Sequence, residues 1–167
     1  IAVATNSAPV ALTPGDWYLA VLNQDSNAVS YAVRATEFVP GGPGLLALSN
    51  GVTYTNVVGT NAPFSDTVDY YWFTVSTNAV RAQFEVLSSD SEVTLVARRG
   101  LPLPTLTDYD YASTNRGTRD ELITVYSTST NTPPIAGEWY VGVVKLATNA
   151  VNYQIRFTEF DGYGTNL

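Results

Sequence analysis

From Val151 onward the chain alternates, with Val151, Tyr153, Ile155 and Phe157 apolar and Asn152, Gln154, Arg156 and Thr158 polar between them. Successive side chains of a strand point to opposite faces, so a period of two predicts a strand with one face for burial. The run "DYYWFTV" alternates in the same way: Tyr71, Phe73 and Val75 share one face, Tyr70 and Trp72 the other. "VTYTNVVG", "RAQFEVLS", "EVTLVARR" and "DELITVYS" are further apolar runs of strand length, separated by turn residues. No segment keeps a helical period. Seven or eight strands at this spacing predict an all-β fold, an antiparallel β-sandwich or jelly-roll-like arrangement. "LPLPTLTDYDYASTNRGTRD" is expected to be a loop, because Pro102 and Pro104 cannot serve a central strand.

The stretch that contains the Val151 alternation occurs twice. "GDWYLAVLNQDSNAVSYAVRATEF" near the start matches "GEWYVGVVKLATNAVNYQIRFTEF" near the end without a gap, Trp17 and Trp139 lying 122 positions apart, as do Phe38 and Phe160. Each copy reads as a hairpin with a polar turn, and each is followed by a glycine-rich break, "VPGGPG" or "DGYGTN". A tandem array of units follows from this periodicity. Residues 1–38 are expected to be the terminal hairpin of a preceding repeat, 39–51 a Gly/Pro-rich linker, 52–160 a complete β-sandwich, and 161–167 the start of the next linker. An isolated two-stranded hairpin is marginal in water, so the first copy needs a partner. It can pack on its own chain, complete a sheet in a neighbour, or remain without fixed structure. The candidate assembly residues are Trp17, Tyr18, Val29, Tyr31 and Val33.

Composition narrows the function classes. With 45% hydrophobic residues in 167 the chain can bury a proper core, and with 14% charged residues and much Thr, Ser, Val and Tyr it suits strands. A net charge of -7 opposes nucleic-acid binding, which needs clustered Lys and Arg. The chain has no histidine and no cysteine, which removes Ser-His-Asp and Cys-His catalysis, imidazole or thiolate zinc sites, and disulfides. No methionine is present, so residue 1 is not expected to be where translation began. No apolar run is long enough for a membrane-spanning helix.

The remaining candidate chemistry is acidic and aromatic. Carboxylates fall in pairs at Asp66 and Asp69, Asp90 and Glu92, Asp108 and Asp110, and Asp120 and Glu121. Oxygen-rich loops of this kind leave calcium open as the one cofactor, although the spacing is not that of a calcium loop. The same pairs could serve glycoside hydrolysis only if a cleft held two of them apart, which no spacing dictates. Tyr70 and Trp72, facing away from the core set, could stack on a sugar or peptide, unless the N-terminal hairpin or a neighbouring repeat covers them. Tyr109 and Tyr111 in the long loop are contact candidates of the same kind, with loop packing as their ordinary role. Arg98 and Arg99 read as a strand-end pair balancing nearby acids.

The order of "VDYYWFTV", "VTLVARRGLPLPTLTDYDYASTNRGTRDELITV" and "AGEWYVGVVKLATNAVNYQIRF" resembles the bacterial pre-peptidase C-terminal domain over roughly residues 50 to 160. The resemblance implies a non-catalytic β-sandwich on secreted bacterial proteins, sometimes repeated and related to collagen-binding modules. It implies an extracellular or cell-surface location. One position departs from the pattern: Thr94 stands where an Asp-x-Asp pair of the family has its second carboxylate, in register with "RRG". The leading expectation is a non-enzymatic assembly repeat of a long surface or fibre-forming protein, whose partners are neighbouring copies or repeats. A module tethering an enzyme to polysaccharide or fibrous protein is the alternative, and a propeptide-like appendage a third.

Overall fold

The computed structural model describes residues 3, 8–31, 33, 45–59, 67–130 and 135–162. Nine strands form two sheets. They are β1 (Leu45–Ala47), β2 (Thr53–Val58), β3 (Val68–Val75), β4 (Arg81–Leu87), β5 (Val93–Arg99), β6 (Tyr111–Ser113), β7 (Glu121–Tyr126), β8 (Gly137–Lys145) and β9 (Val151–Phe160). The first sheet has the order β1-β3-β8-β5-β6, the second β2-β9-β4-β7. All pairings are antiparallel except β1 with β3, which is parallel. The expected all-β sandwich is the observed fold, and there is no helix among the described residues.

The core forms where the alternating patterns of the two sheets meet. Tyr71, Phe73 and Val75 of β3 face Tyr153, Ile155 and Phe157 of β9, all buried. Phe73 stacks on Phe157 at 3.5 Å between ring centroids, Phe84 of β4 lies 4.9 Å from Phe73, and Trp139 of β8 lies 5.6 Å from Phe84. Aromatic side chains thus tie both sheets together near their middle, contributing large buried areas with few rotatable bonds.

Two expectations about boundaries and pairing need correction. Leu45–Ala47 lies inside the stretch expected as linker, yet it forms β1, and Leu45 and Leu48 are buried. Three residues between glycine-rich breaks are too short to show a period of two. The terminal hairpin is also not a hairpin. β8 pairs with β3 and β5, β9 with β2 and β4, and the intervening residues 146–150 cross from one sheet to the other. Such an arch shares with a hairpin two consecutive strands and a short polar turn. It differs in which partner each strand takes, and each here is a central strand.

β8 is covered on both sides, every residue from Trp139 to Lys145 being buried. Trp139, Val141 and Val143 point into the main core. Tyr140, Gly142 and Val144 point to the outer face of the first sheet, where Val96 and Leu45 are also buried although outside the main core. The sandwich therefore carries a second, smaller apolar layer.

Candidate functional site

Tyr70 and Trp72 lie on the outer face of the first sheet, as alternation predicts, and both are half-buried. Tyr70 donates its hydroxyl hydrogen to the carbonyl of Pro104 at 3.0 Å, so the chain's own 101–110 loop reaches over this face. Burial raises its pKa above the ordinary tyrosine value. Gly142 makes room beneath it: a Cβ there would lie 3.1 Å from Tyr70 Cε1 and 3.1 Å from Val96 Cγ2. Trp72 sits opposite Tyr140 across β3 and β8, and Tyr140 opposite Arg98 across β8 and β5. The indole nitrogen of Trp72 is buried and has no hydrogen-bond partner among the described residues. Tyr140 donates to Glu138 Oε2 at 3.2 Å, and burial, with the Glu138 charge second, pushes its pKa up to about 12.

The two loop tyrosines are not brought together. Tyr109 is exposed, while Tyr111 belongs to β6, packs against the core and has its ring 6.0 Å from Trp139. Tyr111 was not readable as a core residue from sequence, because β6 is three residues long and sits in a proline-containing stretch.

The acidic pairs are divided among separate local tasks. Asp108 pairs with Arg98 at 2.6 Å, while Asp110 accepts the Arg99 backbone N–H at 2.8 Å. Asp90 accepts both the backbone and side-chain N–H groups of Asn152, at 3.0 and 2.6 Å. Asp120 accepts the Ser88 N–H at 3.0 Å. Asp66 lies outside the described residues. Among those described, no three Asp, Glu, His or Cys residues gather as a metal site would require. Arg99, which is exposed, donates from Nε and Nη2 to the Ala136 carbonyl.

The assembly residues have a different fate in the two copies. Trp17, Tyr18, Val29, Tyr31 and Val33 are exposed, at 47, 93, 52, 66 and 52%. Their counterparts Trp139, Tyr140, Val151, Tyr153 and Ile155 are at most 2% exposed. No strand occurs among the described residues from 8 to 33. Yet one local feature is the same in both. Trp17 donates its indole N–H to the carbonyl of Thr13 at 3.0 Å, and Trp139 donates to Ile135 at 2.7 Å, each four residues back. Gly15 and Gly137, again 122 positions apart, both have positive φ, +137° and +122°, a region where glycine alone is at ease. The turn that leads into β8 is therefore already formed ahead of Trp17, where the described residues form no strand.

The fold is similar to two solved structures. One is the pre-peptidase C-terminal domain of a collagenase from Bacillus anthracis, 16% identical, with a TM-score of 0.48, covering 68% of this chain and 93% of that one. The other is a periplasmic inhibitor of g-type lysozyme from Aeromonas hydrophila, 8% identical, with a TM-score of 0.46, covering 69% and 95%. The first is the domain type that the sequence motifs resemble. No family model matches the chain, and no curated protein does.

Two polar arrangements were not foreseen from the sequence, although Glu121 and Asp69 stand there among the paired carboxylates. Glu121 of β7 is buried, accepting Ser113 Oγ at 2.5 Å and the Asn115 N–H at 3.1 Å through Oε2, while Oε1 has no partner among the described residues. Alternation does place Glu121 with Ile123 and Val125, and that signal was available. Between the sheets, Asn56 donates to the Tyr71 hydroxyl at 2.8 Å, Tyr71 and Tyr153 share a hydrogen bond at 2.5 Å, and Tyr153 donates to Asp69 Oδ2 at 2.6 Å.

Proposed function

We propose that this chain is a non-catalytic, extracellular structural repeat of a long surface or fibre-forming protein, joined to units like itself through β-segments. One observation carries the reading. The segment around Trp17 has the chemistry and the preformed turn of the β8 entry, but shows its apolar side chains to solvent. Tyr18, Leu22 and Tyr31 are 93, 82 and 66% exposed. Large exposed apolar side chains gathered in one segment favour burial against a partner.

Other features support the non-catalytic side. The chain has neither histidine nor cysteine, and Asp90, Asp108, Asp110 and Asp120 are each committed to a backbone N–H or an arginine. A tethering surface built on Tyr70 and Trp72 has less to recommend it, because the loop carbonyl of Pro104 already holds Tyr70. The extracellular location rests on the motif resemblance.

Light scattering tests the joining role. The full chain is expected to gain mass with concentration, whereas a chain beginning at residue 39, which keeps all nine strands, is expected to stay monomeric. Equal masses for the two at every concentration would overturn the reading.

A further inference from the structure

The place of β8 and β9 in the sandwich says what a second arch of the same kind can join. Neither is an edge strand. β8 pairs with β3 over Gly137–Val144 and with β5 over Trp139–Lys145, and β9 pairs with β2 over Val151–Arg156 and with β4 over Gln154–Phe160. Its side chains reach the rest of the sandwich at set points. Trp139 lies against Phe84 and Tyr111, Tyr153 bonds to Asp69, and Arg156 bonds to Glu85 at 2.9 Å.

Identity between the two copies includes five of the buried positions, while Asn27 and Ala28 repeat the exposed Asn149 and Ala150, and Ala20 and Ala35 stand where Gly142 and Phe157 are buried. Trp17, Tyr18, Val21, Val29 and Tyr31 are the same residues as Trp139, Tyr140, Val143, Val151 and Tyr153, which are no more than 2% exposed. The four residues from Asn23 to Ser26 all differ from Lys145 to Thr148 at the connection between the strands. A segment made to add to a sheet edge would need only one apolar face and free backbone groups. This one repeats the side chains that point both inward and outward from a doubly covered central strand, Tyr18 and Trp17 together.

We infer that the partner of residues 13–33 is a sandwich of this same fold that lacks its own β8 and β9, which the segment enters as two central strands, one in each sheet. A complete copy has those places filled, so full chains meet only through the exposed apolar side chains of the segment and not by strand entry. This rests on the joining role proposed above and narrows it to one kind of acceptor.

The repeat supplies a test that changes no residue of the chain. At the same offset Ile1 matches Ile123 and Val3 matches Val125. A second copy of residues 45–122 placed directly before Ile1 of the full chain therefore leads into the segment in register and offers it a vacant body in cis. Hydrogen exchange by mass spectrometry on this extended chain is expected to slow residues 13–33 to the rates of residues 137–160. The concentration-dependent mass of the full chain is expected to disappear. In the same extended chain Val21→Asp, at the position matching Val143, is expected to restore fast exchange in 13–33 and leave 137–160 unchanged. Fast exchange in the extended chain while the full chain still self-associates overturns the acceptor and leaves the joining role standing. Slow exchange that survives Val21→Asp also overturns it, since the segment is then held elsewhere than in a core. A full chain that never self-associates counts against the joining role, whatever the extended chain does.

Discussion

The hydroxyl of Tyr71 lies 2.5 Å from that of Tyr153, across the gap between the two sheets. Tyr153 gives its hydrogen to Asp69 Oδ2, so Tyr71 is the donor to Tyr153, and Asn56 in turn donates to Tyr71. The bonds run from Asn56 through both tyrosines to the carboxylate, each polarising the next, and Asn56 Nδ2 also donates directly to Asp69 Oδ2 at 3.2 Å.

Tyr153→Phe is expected to cost about 1–3 kcal/mol, because it leaves the buried Tyr71 hydroxyl without its acceptor, while the partly exposed Asp69 keeps its bond from Asn56. Tyr71→Phe should cost less than Tyr153→Phe, since Asp69 keeps its bond from Tyr153. The double variant should cost less than the two single losses together. Urea unfolding midpoints of the four proteins measure the coupling, and strict additivity would show that the hydroxyls act independently.

The same burial makes stability fall in alkali. Tyr70, Tyr71 and Tyr153 have pKa values raised chiefly by burial, and Tyr140 is pushed up to about 12. A folded-state pKa above the unfolded value means the native protein holds the proton more tightly. The stabilisation is complete below the unfolded value of 10.0 and is lost as pH rises through the folded values. Urea midpoints should be flat with respect to these groups below pH 10 and decline from there towards pH 12, and tyrosinate absorbance should rise together with unfolding. Tyr153→Phe should lessen the slope. A folded chain that ionises all its tyrosines near pH 10 without loss of stability would contradict this.

Most of the fold was legible because most strands are long enough to display a period. β3, β4, β7 and β9 show their buried faces at alternate positions, and β5 shows a short apolar run. β1 and β6, at three residues each, offer no period to read. Alternation assigns a residue to a face and not to a sheet, which is why the β8–β9 arch resembles a hairpin. The outer apolar layer was hidden for a related reason. Which face of the first sheet is covered depends on the path of residues 101–110, and a proline- and threonine-rich stretch carries no pattern that fixes its path. The paired carboxylates illustrate the same limit, since Asp108 and Asp110 are neighbours in sequence but serve Arg98 and Arg99 separately.

The two matching tryptophans should behave in opposite ways. Trp139 is fully buried, with Phe84 5.6 Å and Tyr111 6.0 Å from its ring, and its N–H satisfies the Ile135 carbonyl. Trp139→Ala removes that volume from a core that cannot collapse around it, since β8 is held by strands on both sides, and is expected to cost about 3–5 kcal/mol. Trp17 makes the same local bond but is 47% exposed, so Trp17→Ala should change the unfolding midpoint of the sandwich by no more than about 0.5 kcal/mol. Its effect should fall on association instead, lowering the mass that the full chain reaches at high concentration. Unfolding in urea at low protein concentration, followed by light scattering of the same samples concentrated, separates the two effects. A large stability loss from Trp17→Ala in the monomer would mean that the first copy is packed on its own sandwich after all, and that the exposed residues around it are not available to a neighbour.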